Sequence, residues 1–162
     1  MRINKTRVIT GLILCALAVT LFGACGAKQR KNASGAQEKW GKVSVFVPET
    51  MFLEGGTMTD PSDEHVLWLK DKADPDNYIT VTLTDAGTAK NDIGFVKTIE
   101  ECQDVEPFKT GKTTWTGVSY KHGYDDCFTV YTEADNVFEV NGYGYAVTDD
   151  TVQEVLSSIR KA

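Results

Sequence analysis

The sequence predicts an α+β domain: an antiparallel β-sheet of about six strands with two flanking helices, preceded by a signal peptide and a flexible tether. Three observations predict it. Short segments with alternating apolar residues recur between Gly41 and Ala146, the period of half-buried strands. Turn-forming clusters (DKADPDN at 71–77, KHGYD at 121–125 and Ala134-Asp135-Asn136) join neighbouring segments, which favours antiparallel hairpins over crossovers. Two stretches switch to a period of three to four, the signature of a helix with one apolar stripe.

Taken in order, Lys28–Lys39 (KQRKNASGAQEK) is polar and without apolar period, which reads as a flexible tether. Gly41–Val47 alternates, with Val43, Val45 and Val47 on one face, and Pro48 stops it because proline lacks the N–H a ladder needs. Glu49–Asp63, with Gly55-Gly56 and Asp60-Pro61, reads as loop or irregular edge. His65–Lys70 and Tyr78–Asp85 form a hairpin, Ile79, Val81 and Leu83 facing one way and Tyr78 with three threonines the other. Ala89–Gln103 reads as a helix with Ile93, Val96, Ile99 and Cys102 in one row, weakened by Gly94. Val105–Thr110 is short and extended around Pro107. Thr113–Tyr120, Asp126–Thr132 and Val137–Ala146 are strands, the last two a second hairpin. Thr148–Lys161 is a helix with Val152, Val155, Leu156 and Ile159 on one face, and Thr151 with Glu154 fits a capping box.

The first 26 residues carry a different message. Arg2, Lys5 and Arg7 precede an uncharged apolar run, Val8–Phe22, closing on Leu21-Phe22-Gly23-Ala24-Cys25. Positive charge, hydrophobic length and small residues in that order mark a secretory signal. The closing five residues resemble the lipobox of bacterial lipoproteins, with Phe22 where a leucine is commoner. The resemblance implies cleavage before Cys25, a diacylglycerol on its sulfur, and a domain held at the extracytoplasmic face of the cell membrane. An uncleaved anchor and ordinary cleavage near Ala24 are the alternatives. The resulting division is 1–24 signal peptide, 25–39 lipidated Cys25 and tether, and 40–162 one α+β domain.

From Trp40 onward the chain holds 10 basic against 22 acidic residues. Such a surplus repels phosphate backbones, so nucleic acid is excluded as a partner; it suits solubility, cations or a basic protein surface. Downstream of Cys25 two cysteines remain, Cys102 and Cys127. In an oxidising compartment they either form a disulfide, closing a loop of about 25 residues worth roughly 3–4 kcal/mol, or stay as two buried thiols. Their spacing is not that of a metal site.

The order of elements resembles the PsbP-like α/β fold. The opening strand ending at Pro48, the hairpin around Asp74-Pro75, the Gly111-Lys112 turn before Trp115 and the final VQEVLSSIRK helix carry the likeness, over Trp40–Ala162. It implies an accessory or protein-binding module and transfers no catalytic residue.

The candidate chemistry is sparse. There is no GxSxG. Cys127, with Asp126 and His122 close in sequence, is the one thiol that an enzyme reading could use, the acidic loops being the other resource. Asp71, Asp74 and Asp76 resemble a calcium loop, but the sixth and twelfth positions hold Asp76 and Thr82, where glycine and an acid are required. NGYGY (141–145) opens no helix and so makes no phosphate cradle. Tyr143 and Tyr145, with Trp115 or Tyr120 beside them, could form an exposed platform that stacks a sugar or clasps a partner; the alternative is that these rings are core. The sequence therefore predicts a non-enzymatic, membrane-anchored accessory or binding domain with no metal or cofactor. Its partner is the membrane together with an envelope protein or a small ligand. A small cell-surface enzyme is the alternative.

Overall fold

The computed structural model describes residues 31–32, 35–132, 134 and 136–162. The leader and Cys25 lie outside the described residues. No helix of the described residues is long and apolar enough to cross a membrane.

Among the described residues eleven strands and two helices follow one another: β1 Lys31–Asn32, β2 Ala36–Trp40, β3 Val43–Val47, β4 Met51–Gly55, β5 Val66–Asp71, β6 Tyr78–Thr84, α1 Ala86–Ile99, β7 Cys102–Thr110, β8 Thr113–His122, β9 Asp125–Thr132, β10 Val137–Tyr143, α2 Asp150–Ser158 and β11 Arg160–Lys161. They build an eight-stranded sheet in the order β1-β4-β5-β6-β10-β9-β8-β7 and a three-stranded sheet in the order β11-β3-β2. All pairings are antiparallel. The class is α+β, as the alternating segments and tight turns predict, with more strands than the expected six.

Strands β2 and β4 and the start of β7 each have a physical reason, while Arg160–Lys161, expected in the final helix, pair with β3 as β11. Ala36–Trp40, of which 36–39 were expected as tether, pairs with β3 from Ala36↔Val47 to Trp40↔Val43, and the Trp40 indole donates to the Asp63 carbonyl at 2.9 Å. A polar strand needs no apolar period when it lies at a sheet edge. Met51–Gly55, expected as loop, pairs with β5 and places Met51 and Leu53 in the core at 0% exposure. A Cβ on Gly55 would fall inside the Trp40 ring, so this glycine permits close packing and does not mark a loop. Cys102, expected on the first helix, opens β7 opposite Tyr120. Helix α1 ends at Ile99, with Glu100 already extended.

The capping box at Thr151 and Glu154 is corrected as well. The N-cap of α2 is Asp149, whose backbone carbonyl takes the Gln153 N–H. Its carboxylate instead accepts from Ala146 N at 2.9 Å, closing the preceding loop. Asp85, expected at the end of a strand, caps α1 and starts the helix at Ala86, accepting from Gly87 N and Thr88 N.

Burial follows the alternation. Val43, Val45 and Val47, Leu67 and Leu69, Ile79 and Val81, and Val130 and Val140 are all at 0% exposure. They form one core with Val152, Val155 and Leu156 of α2. That core lies between one face of the large sheet and a layer made of β3 and α2. A smaller cluster, Ala89 and Ile93 of α1 with Val118, Tyr131 and Val137, lies on the opposite face. Helix α1 thus roofs only the β8–β10 part of that face.

Candidate functional site: an aromatic row on the half-roofed sheet face

Residues directly opposite on antiparallel strands share a face, so the register defines what the half-roofed face carries. One row reads Lys70, Tyr78, Tyr143, Cys127, Tyr120 and Cys102 from β5 to β7. The next row, two residues along each strand, reads Glu54, Trp68, Thr80, Asn141, Thr129 and Val118. Beyond the roof of α1 the two rows bring together a continuous strip of rings. Trp68 and Tyr78 have centroids 5.0 Å apart at 58°. Tyr78 and Tyr143 are 5.7 Å apart and within 13° of parallel. His122, at the end of β8, stands 5.8 Å from Tyr143 at 55°. Trp68, Tyr78 and Tyr143 are half-buried.

Polar groups fix the strip at its ends. Lys70 Nζ stands 5.6 Å from the Trp68 ring centre and 3.1 Å from Glu54 Oε2. The Trp68 indole donates to the Gly56 carbonyl at 2.8 Å. His122 Nδ1 is 2.8 Å from Glu100 Oε1. Burial raises the Tyr78 and Tyr143 hydroxyl pKa values, and Asp125 pushes Tyr143 further, so both phenols keep their protons and present O–H groups. The NGYGY glycines serve this geometry: a Cβ at Gly142 would strike the Phe128 ring, and Gly144 has φ +75° beside Asn77.

Around the ends of β7 and β8 lies a shallow depression of about 520 Å³, lined by Glu100, Glu101, Cys102, Tyr120, Lys121 and Asp126 among others; Gln103 pairs with Ser119 and Lys121 with Asp126, which puts these four side chains on the face opposite to the strip. Under α1 the face is polar and connected. Thr129 Oγ1 donates to Asn141 Oδ1 at 2.7 Å, and Asn141 Nδ2 donates to Glu139 Oε1 at 2.9 Å. Glu139 is 6% exposed; burial first, and Asp92 of α1 as well, raise its carboxyl pKa.

Of the three rings expected to form a platform, Tyr143 alone belongs to the strip. Trp115 is 1% exposed and sits in the main core on the opposite face, its indole donating to Thr110 Oγ1 at 2.7 Å. Tyr145 packs against that core too, its hydroxyl 3.1 Å from Asp71 Oδ2 and its pKa raised by burial and by that carboxylate. The expected platform of Trp115, Tyr143 and Tyr145 is therefore not assembled. Trp68, Tyr78 and His122 take its place. Trp68 was legible as the ring between Leu67 and Leu69, pointing away from their face; that Tyr78 meets Tyr143 depends on a pairing between distant strands.

The thiols are free. Cys102 lies opposite Tyr120, and Tyr120 lies opposite Cys127, which puts the cysteines two strands apart, about 10 Å. A disulfide needs Cα atoms within about 7 Å, so of the two alternatives, bridge or free thiols, the register excludes the bridge. Cys127 is 1% exposed; burial raises its pKa, as it does for Cys102. A protonated, covered thiol is a poor nucleophile, and the one imidazole near it in sequence, His122, is engaged by Glu100. Asp71 and Asp74 cap their own turn, accepting from the Ala73, Asp74 and Asp76 amides. Among the described residues no three His, Cys, Asp or Glu side chains are grouped as metal ligands.

No protein-family model matches the chain, and no curated protein matches it in sequence. In structure it is similar to the cyanobacterial PsbP (CyanoP) of Synechocystis sp. PCC 6803, at 9% identity and a TM-score of 0.48, over 89% of this chain and 99% of that one. It is also similar to a crystallised protein of Bacteroides thetaiotaomicron VPI-5482, at 14% identity and a TM-score of 0.38, over 85% of this chain and 49% of that one. The chain thus spans about half the length of the second protein.

Proposed function

We propose that the protein is a non-enzymatic binding module, tethered through an acylated Cys25 to the extracytoplasmic face of the cell membrane, which holds an envelope protein or small ligand on the half-roofed face of its large sheet. The observation that carries the reading is the strip Trp68–Tyr78–Tyr143–His122. Rings are costly to leave in water unless something covers them, and here they are held at fixed spacing by four strands. The lipobox-like LFGAC stretch supplies the anchor, and two acyl chains give durable attachment where one is marginal. The buried, protonated state of Cys127 weighs against the enzyme alternative.

Two measurements test this. A palmitate analogue labels the wild-type chain in cells and fails to label Cys25→Ala; label on both counts against the anchor. A photo-crosslinking residue in place of the fully exposed Tyr124, on the turn beside His122, gives a discrete adduct in intact cells. The same residue in place of Glu154, on the exposed side of α2, does not. Equal adducts from both positions count against the face.

A further inference from the structure

We infer that the domain stands on the phospholipid bilayer by one end of its sheets, the end that carries Met58, Lys42 and Lys161. The opposite, acidic end, with the His122–Tyr143 end of the aromatic strip, is turned away from the lipid. This rests on the reading that Cys25 is acylated. Three observations select that end and that surface.

The first is where the chain to the anchor leaves the fold. In β1, Asn32 lies opposite Phe52 and Lys31 opposite Leu53. Toward its N-terminus the chain therefore runs along β4 from the Met51 end to the Gly55 end. Five residues separate Lys31 from Cys25, a reach of about 20 Å at full extension. Continued in the direction of β1, that length sets Cys25 beyond the Gly55 end. Doubled back, it is spent level with the start of β4, short of the turn at 71–77.

The second is charge. Strand directions place the segments 49–50, 71–77, 100–101, 121–126 and 144–150 at the Met51 end. They hold ten acids and two lysines. The segments at the Gly55 end, 40–42, 56–65, 84–86, 110–113, 133–136 and 160–162, hold six acids and four basic residues. An anionic headgroup layer repels the first end far more than the second, and its field turns the first end outward.

The third is what the Gly55 end presents. Met58, on the β4–β5 loop, is 82% exposed, and an apolar side chain so placed can enter the headgroup layer. The loop is tied to the β2–β3 turn, Lys42 N donating to Glu64 O at 2.9 Å and the Trp40 indole to Asp63 O. Lys42, His65, Asn136 and Lys161 line one recess of about 350 Å³. The acid on its wall, Asp85, is committed to the Gly87 and Thr88 amides as the cap of α1. Lys42 and Lys161 are the ammonium groups this end offers to lipid phosphates. The partner of the aromatic strip is accordingly met from the envelope space and not from within the membrane.

The test uses the full-length acylated protein in phosphatidylcholine vesicles, with and without phosphatidylglycerol, whose headgroups carry a nitroxide quencher. A fluorophore is attached at Met58→Cys or at Tyr124→Cys, each in a Cys102→Ser background; Cys127 is buried and does not compete. Position 58 is quenched about threefold more than position 124, or better. Phosphatidylglycerol raises the quenching at 58. Lys42→Gln with Lys161→Gln removes about half of that rise or more, whereas Lys72→Gln with Lys121→Gln, at the acidic end, leaves it intact. Equal quenching at the two positions, or stronger quenching at 124, overturns the inference. So does a rise that both double variants lower alike. If a palmitate analogue labels the wild type while neither position is quenched, the domain stands clear of lipid, and the anchor holds without the orientation. If the wild type takes no label, both readings fall.

Discussion

Gly55 joins the two sheets. Its Cα lies beneath the Trp40 ring, and any side chain there would enter the indole. Trp40 cannot swing aside without breaking the bond from its indole to Asp63 O and uncovering the core it packs against. Gly55→Ala therefore costs about 3 kcal/mol or more, read as a lowered denaturant midpoint at unchanged slope; a loss under about 1 kcal/mol would show that the strands slide apart freely. Glu139 makes a second case. Its carboxyl is buried and its folded pKa is raised, so the neutral acid is the favoured folded form. The stability it contributes is full below the unfolded glutamate value of about 4.3 and is lost as pH rises through the higher folded value. Glu139→Gln keeps a neutral amide there at all pH values. Subtracting the two stability curves should give a difference that grows in the variant's favour with rising pH and then levels. A flat difference would mean that Glu139 ionises in the fold as freely as in the open chain.

Helix α1 is the most lightly held of the long elements. Its buried residues are Ala89 and Ile93, whereas Phe95 and Ile99 stand 64% and 59% exposed, and Gly94 lowers its propensity from within. Ile93→Ala removes most of the apolar grip. It should cost about 2–3 kcal/mol and raise amide exchange across 86–99 more than across β6 or β10. Phe95→Ser, on the solvent side, should stay within about 0.5 kcal/mol. Uniform exchange changes in Ile93→Ala would show that the helix unfolds only with the sheet. The same helix shows where sequence patterns stop being informative. Ile93, Val96, Ile99 and Cys102 fall at helical spacing, yet the pairing of Cys102 with Tyr120 ends the helix before that row is complete. Local period cannot register a competing strand partner eighteen residues away. Strands β3 and β6 were legible because Val43, Val45 and Val47, and Ile79 and Val81, recur at every second residue and are all fully buried. β2 and β4 were not: one is a polar edge, and the other holds Met51–Gly55 with every residue buried, leaving no alternation to read. For the site, Tyr143 could be picked out as an aromatic between glycines, but its neighbours are chosen by register, which no short stretch encodes.

Across the molecule, the core is shared between two sheets and α2, and no covalent cross-link ties them, since Cys102 and Cys127 are free. Stability then rests on buried apolar area, and reductant has nothing to cut. Thermal unfolding with and without excess thiol reductant should superimpose. The two thiols nevertheless differ in what unfolding must do to expose them. Cys102 lies half-exposed on the edge strand β7, where fraying suffices. Cys127 is on β9, with β8 and β10 paired on either side and 1% of its surface in contact with solvent. Exposing it requires separating the middle of the sheet. Both pKa values are raised by burial, so alkylation is slow for each and should be followed at mildly alkaline pH. Cys102 should react in the native protein, at a rate insensitive to small additions of denaturant. Cys127 should react only through global opening, its rate rising with denaturant along the slope of the unfolding equilibrium. Native labelling of Cys127 at the rate of Cys102 would mean that the aromatic row opens locally, and the strip from Trp68 to His122 would then be a mobile surface instead of a preformed one.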